Sequence, residues 1–216
     1  MIRGAAVPVP DGRDTRTTLR TVGTGAVGAL LWAVFAVEHI RVFLATGRVV
    51  GVGLAVTELL VAVLFLTRKP AERHSERAAD WVVAFVGAFG ALAARPGGAH
   101  SAAGDVAGLT MQLGGLMIVA LGLGTLRRSF GLVAAQRDLV TGGPYRFVRH
   151  PLYAAYVVLQ VGYLLQSLRL WNVAVFAITW ACQVARIHAE ERILRADDDY
   201  VRYAERTRFR LVPGLW

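Results

Sequence analysis

The chain has 216 residues, 55% of them hydrophobic, with a mean hydropathy of +0.47, which is too apolar for an ordinary soluble domain of this length. A formal net charge of +9 suits either nucleic acid or an anionic membrane surface, and the hydropathy selects the membrane, so no nucleic-acid partner is expected. Cys182 is the only cysteine, which excludes an internal disulfide. The basic residues are Arg except for Lys69, a hint of a high-GC bacterial genome.

Residues 1–20 are polar, with Pro8, Pro10, Asp11, Gly12 and four Arg, and read as a cytoplasmic tail rather than a signal peptide. Val22–Ala45 is the first apolar run, close to the ~20 residues needed to cross a bilayer. It contains Gly23, Gly25 and Gly28 in a GxGxxG spacing. No strand precedes these glycines, so close helix packing is the expected use and not a nucleotide loop. Glu38, His39 and Arg41 near its far end, and Glu58 inside the second run (Val49–Thr67), are costly in a membrane and draw functional suspicion. For the first three, local pairing at the interface is the plainer expectation.

A charged loop, 68–79, leads to a short third run, Asp80–Ala94. A Gly/Ala-rich turn containing His100 precedes the fourth run, Val106–Leu126. Leu152–Leu168 and Leu170–Ala185 are two further apolar segments separated only around Arg169, and they read as a helical hairpin. From Arg186 the chain is strongly charged, and residues 186–206 are expected to form one amphipathic cytoplasmic helix.

The spacing therefore predicts an all-α polytopic membrane protein with about six hydrophobic helices. It divides into a tail (1–21), a four-helix membrane region (22–126) and a C-terminal unit (127–216). With six crossings and the N-terminus inside, the inner segments hold most of the Arg, and the outer loops hold only Arg48, Arg95 and Arg169. The positive-inside rule then puts both termini in the cytoplasm, and the expected location is the inner membrane of a bacterium.

Between the fourth and fifth runs lies a polar, basic and aromatic stretch, Leu139-Val-Thr-Gly-Gly-Pro-Tyr-Arg-Phe-Val-Arg-His-Pro-Leu-Tyr153. Gly142, Gly143 and Pro144 forbid a continuous helix through its middle. Pro151 disfavours helical geometry at His150 but suits the first turn of a new helix. Tyr145, Arg146, Arg149, His150 and Tyr153 thus form one polar cluster at the inner face. Arg186, His188, Glu190 and Glu191 form a second just past the last run, with Arg186 and Glu190 four apart on one helix face. On spacing alone, a ligand site and a salt-bridged rim that merely fixes topology are equal readings.

This stretch resembles the signature of the isoprenylcysteine carboxyl methyltransferase family and its phospholipid methyltransferase relatives, roughly LVTxGxYxxxRHPxYxG. Further family elements follow in order: Glu190-Glu191-Arg-Ile-Leu194, then Tyr200 and Tyr203, then Arg208-Phe-Arg210-Leu-Val-Pro213. The resemblance covers about residues 126–216. It departs at Ala155, where the family often has Gly, and between Leu194 and Tyr200, where Arg-Ala-Asp-Asp-Asp replaces a longer spacer.

The resemblance implies S-adenosylmethionine-dependent methyl transfer in a membrane protein, with a cytoplasmic cofactor pocket formed by the C-terminal half and no metal. Carried over by position, Arg137, Leu139 and Val140 would line the cofactor; Tyr145, His150, Pro151 and Tyr153 would contact it. Glu190 would hold one of its polar groups, and Arg186 would take the substrate side, these two being the catalytic pair. The implied partner is a lipophilic small-molecule or lipid-linked acceptor drawn from the surrounding membrane lipids. A prenylcysteine-like carboxylate, a lipid amine, a quinol-like phenol, a polyketide acid and a small thiol all remain open. Two rival readings stand beside it: a non-catalytic scaffold or binding protein of the same fold, and a sterol-reductase-like NADPH enzyme.

Overall fold

The structure is a computed structural model that describes residues 12–46, 50–67, 73–75, 77–95, 98–99, 101–126, 135–136 and 139–216. Among the described residues the regular structure is helical, apart from one two-residue antiparallel pair and an isolated bridge between Ala99 and Leu168. In order the helices are α1 (Gly12–Thr46), α2 (Val50–Thr67), α3 (Ala78–Phe89) and α4 (Ala102–Leu126), then α5 (Pro151–Gln166), α6 (Leu170–Leu194) and α7 (Asp198–Arg206). A short 3-10 turn, Gly90–Ala93, extends α3, and β1 (Arg73–His74) pairs with β2 (Ala135–Gln136). The expected apolar runs fall on helices α1 to α6. However, α1 begins at Gly12, inside the stretch expected to be tail; residues 1–11 lie outside the described residues.

Among the described helices, α4 and α6 are long and apolar enough to cross a membrane. At 25 residues each, they reach about 37 Å, against a hydrocarbon core of about 30 Å. Their outer faces stay apolar: Leu109, Leu113, Met117 and Leu121 on α4, and Val173 and Ile178 on α6, are exposed. A face of that kind is what lipid, rather than water, would cover.

Small residues set how closely the helices pack. Gly108, Gly115 and Gly122 recur every seven residues on α4 and face α5. A Cβ built on Gly115 would lie 2.8 Å from Leu159, and one on Gly162 of α5 would lie 2.7 Å from the Gly108 carbonyl oxygen. Heptad spacing of small residues is the pattern for close antiparallel helix pairs. The GxGxxG of α1 serves the same purpose: a Cβ on Gly25 would lie 2.7 Å from the Phe65 carbonyl of α2, and Gly28 abuts the Phe65 ring. Gly87 of α3 admits the aliphatic part of Arg186, and Gly90, in the 3-10 turn that follows, admits the Thr179 hydroxyl of α6. Val61, Phe65, Val119, Leu123, Leu152 and Ala155 form the apolar centre joining α2, α4 and α5. Ala155, the departure from the family pattern, is fully buried there. Trp32, Phe35, Phe85 and Phe89 stack to join α1 to α3.

The far end of the α5–α6 hairpin is pinned by Asn172. Its amide accepts from the Arg95 backbone N–H at 2.9 Å and donates to the carbonyls of Arg95 and Ser167 at 2.9 and 2.8 Å. This leaves the other end of the hairpin, at Pro151 and Arg186, to form the site.

One expectation is corrected. Residues 186–206 are not one separate helix: α6 runs unbroken from the apolar segment to Leu194, and a new helix starts at Asp198. The cause is the Asp197-Asp-Asp199 run. Asp197 leaves helical geometry (φ −111°, ψ 123°) and its carboxylate accepts from the Asp199 N–H at 2.8 Å. An Asp at this position caps a helix that follows it, and two more acids in the first turn favour the positive end of the new helix.

Candidate functional site

The polar stretch folds as its glycines and prolines require. Gly143 takes φ +55°, in the left-handed region, and a Cβ there would meet the Thr125 hydroxyl at 2.6 Å; glycine satisfies both demands at once. A 3-10 turn, Gly143–Arg146, then brings the chain round to His150, with the Tyr145 N–H donating to the Gly142 carbonyl at 3.1 Å. His150 is the non-helical residue before α5, and the fully buried Pro151 opens that helix, where its missing N–H costs nothing.

The backbone N–H groups of Arg149 and His150 do not enter a helix. They donate to the carbonyls of Phe209 and Arg210 at 2.9 and 2.8 Å. The segment after α7 thus lies against the His150 segment like a short strand. The Arg149 guanidinium reinforces the join by donating to the carbonyls of Thr207 and Arg208 at 2.9 and 3.0 Å. The Tyr203 hydroxyl adds a further link, donating to the Tyr145 carbonyl at 2.6 Å. Burial pushes the pKa of Tyr203 up to about 12, against the opposing pull of Arg149 and Thr207, so the hydroxyl keeps its proton. Burial likewise raises Tyr145 well above an ordinary phenol. The tail tyrosines therefore pack α7 onto the polar stretch.

The two adjacent glutamates of α6 have separate surroundings. Glu191 is 3% exposed. It accepts from Arg149 Nε at 2.9 Å and from Arg210 Nη2 at 2.8 Å, and its carboxylate lies 3.4 Å from His150 Nε2. Glu190 has a side chain 21% exposed. It accepts from the Tyr153 hydroxyl, lies 3.7 Å from His150 Nδ1, and is 4.0 Å from Arg186 Nη2. The Arg186 guanidinium sits 5.1 Å from the centre of the Tyr153 ring. Arg186 itself is buried, and it also interacts electrostatically with Tyr156.

His150, Tyr153, Arg186 and Glu190 are therefore brought together, and Tyr145 lies within reach of the Glu190 charge. Leu139 and Val140 are half-buried in the irregular segment before the turn. Arg137 lies outside the described residues. Among the residues considered as proton acceptors, His188 packs against the Trp216 ring, 6.0 Å between centroids, and Glu191 is held by its cations.

Sequence reasoning missed Tyr156, Arg210 and the structural role of Glu191. One signal was available: neighbouring helical residues point about 100° apart, so a Glu-Glu pair cannot present both carboxylates to one ligand.

Residues 110–196 match a family model, that of the Isoprenylcysteine carboxyl methyltransferase (ICMT) family. The matched family is ICMT, the one the motif pointed to. The ICMT match takes in most of α4, the polar stretch, α5 and all of α6, and so includes His150, Tyr153, Arg186 and Glu190. ICMT is a family of membrane methyltransferases, which supports that coarse reading of the chain. A comparison with curated proteins yields no match.

Proposed function

We propose that this chain is an S-adenosylmethionine-dependent methyltransferase embedded in the inner membrane of a bacterium. Its six helices α1 to α6 cross or enter the bilayer, and its termini are cytoplasmic. The carrying observation is the joint placement of the Tyr153 hydroxyl, His150 and Arg186 around the accessible Glu190 carboxylate.

The donor set fits the cofactor. S-adenosylmethionine brings a sulfonium-activated methyl group, a ribose and an ammonium. A partly exposed carboxylate suits a hydroxyl pair or an ammonium, and the nearby aromatic faces of Tyr145 and Tyr153 suit a cation. Glu190, His150, Tyr145 and Tyr153 would hold it, with Leu139, Val140 and Pro151 on the same side.

Arg186 serves the acceptor. Its guanidinium is buried one helical turn below Glu190, on the membrane side, where it can orient a carboxylate arriving from the bilayer by a bidentate contact. A carboxylate acceptor needs no general base. The protein's part in the reaction is alignment and exclusion of water, and the buried walls at Tyr153 and Tyr156 supply the latter.

The deciding experiment is calorimetric binding of S-adenosylmethionine and S-adenosylhomocysteine to the detergent-purified protein, with His150→Ala as control. Binding that is lost in the variant is the expected result. A folded wild type that binds neither, but binds NADPH, would replace this reading with the reductase one.

A further inference from the structure

The outward face of α6 is a single stripe. Trp171, Ala174, Ile178, Ala181, Ala185 and His188 are all exposed, and their alternating three- and four-residue spacing keeps them on one side of the helix. Trp171 and His188 are seventeen residues apart, about 26 Å along the axis, close to a hydrocarbon core of about 30 Å. Each end of the stripe carries the same pair. At one end Arg95 stacks on the Trp171 ring, 5.1 Å from its centre. At the other the Trp216 ring lies against His188, 6.0 Å between centroids, and Arg210 stacks on it at 5.2 Å. A tryptophan with a cation beside it suits a membrane boundary, and here two of them stand at the spacing of a bilayer.

Trp216 does not belong to α6. A turn, residues 211–216, brings it there: the Leu211 and Val212 N–H groups donate to a main-chain oxygen of Trp216 at 2.9 and 3.2 Å, and Gly214 takes φ +84°. The turn thus lies where the outward stripe of α6 ends. Its apolar side chains are not spent on packing, since Val212 is 47% exposed and Leu215 79%. From Arg206 to Trp216 the chain carries three Arg and no acid. Arg210 is engaged with Glu191, whereas Arg206 and Arg208 are exposed. Apolar side chains left outside the core, with cations nearby and a lipid-facing stripe leading to them, fit the headgroup layer of an anionic bilayer.

We infer that residues 211–216 form an anchor on the anionic phospholipid surface of the bilayer that α6 crosses. Val212 and Leu215 enter the boundary between headgroups and acyl chains, Trp216 marks its level, and Arg206 and Arg208 take lipid phosphates. This anchor rests on the membrane placement of α6 and not on methyl transfer. The carbonyls of Phe209 and Arg210, immediately before the turn, accept from the Arg149 and His150 N–H groups, and the Arg210 guanidinium binds Glu191. Lipid that grips the turn therefore also steadies the segment that backs the pocket.

The test uses the full chain with Cys182 replaced by Ala, in nanodiscs of phosphatidylcholine with or without phosphatidylglycerol. A polarity-sensitive fluorophore is attached in turn to Leu215→Cys, Ile178→Cys and Asp198→Cys; all three positions are exposed, so the labels displace no buried side chain. The probe at 178 should be quenched by a nitroxide at mid-chain depth in the lipid. The probe at 215 should be blue-shifted and quenched by a nitroxide at headgroup depth, more strongly with phosphatidylglycerol present. The probe at 198, at the start of α7, should show neither effect. An arginine near an anionic surface contributes about a fivefold preference. Arg208→Gln should therefore lower the ratio of inserted to released probe about fivefold, at the salt concentration that half-releases the parent chain.

A probe at 215 as wet as the one at 198 overturns the inference. So does a blue shift at 215 without quenching by lipid, which would mean that a second copy or another protein covers the turn. Quenching at 215 that ignores both phosphatidylglycerol and Arg208→Gln rules out the anionic surface and overturns it as well. Absence of quenching at 178 would condemn the membrane placement of α6, and the anchor with it, while leaving the cofactor reading to its own binding experiment.

Discussion

At the scale of single residues, the site divides between two adjacent carboxylates. Glu190 touches a tyrosine, a histidine and an arginine on the accessible side, so Glu190→Gln should weaken S-adenosylmethionine binding. Arg186→Ala should leave that binding largely intact and lower turnover. The reverse pattern in paired calorimetry and methyl-transfer assays would exchange the two sides of the pocket.

Glu191→Gln should act differently, through stability. It leaves Arg149, whose side chain is 5% exposed, without its counter-charge, and breaking a buried pair on one side costs about 3–5 kcal/mol. The measurement is the unfolding midpoint in detergent, where Glu190→Gln, at a carboxylate 21% exposed and 4.0 Å from its arginine, should show the smaller loss.

Tyr203 gives a pH dependence. Its folded pKa, about 12, stands above the ordinary value of 10.0, so the folded state holds the proton more tightly than the unfolded chain. The resulting stabilisation is fully present below pH 10, declines from there and is gone above about 12. Alkaline unfolding should therefore be less steep in Tyr203→Phe over that window, as followed by circular dichroism. These assignments were legible to different degrees. The RHPxY motif and the i, i+4 relation of Arg186 and Glu190 were readable because both are local spacings. Arg149 with Glu191 and Glu191 with Arg210 depend on how the segment after α7 folds back, which no periodicity records.

At the scale of elements, α4 and α5 are held close by glycines whose substitution should separate the helices. Gly162→Ala places a methyl 2.7 Å from the Gly108 carbonyl oxygen, a backbone atom that cannot swing aside. Overpacking of this kind typically costs about 1–3 kcal/mol. Gly114, on the exposed side of the same α4, has nothing within 4 Å of an added Cβ, so Gly114→Ala should be neutral or slightly stabilising. Matched chemical unfolding of the two variants checks the pair; equal effects would mean that α4 presents a different face to α5.

Helix existence was readable throughout, because apolar runs bounded by charge are strong signals. The break between α6 and α7 was not anticipated, although the three aspartates that cause it were noted. Their capping competes with helix continuation, and hydrophobic pattern alone does not weigh that competition.

At the scale of the whole molecule, the arginine distribution predicts topology. With Cys182 first replaced by Ala, a cysteine at position 169 should react with an impermeant maleimide on intact cells. One at position 208 should react only after lysis. Labelling at 208 from outside would invert the arrangement and move the proposed pocket to the wrong face for a cytoplasmic cofactor.

The backbone bonds from Arg149 and His150 to Phe209 and Arg210 have a consequence for biogenesis. Every apolar helix is synthesised before the residues that fasten the pocket. While the ribosome is still delivering helices to the insertion machinery, the His150 segment lacks its partner strand and Glu191 lacks Arg210. The pocket thus closes as the last act of folding, after the membrane-embedded part is in place. An early-released chain would insert normally yet be inert, and a quality-control protease would find its loose loop before any ligand could.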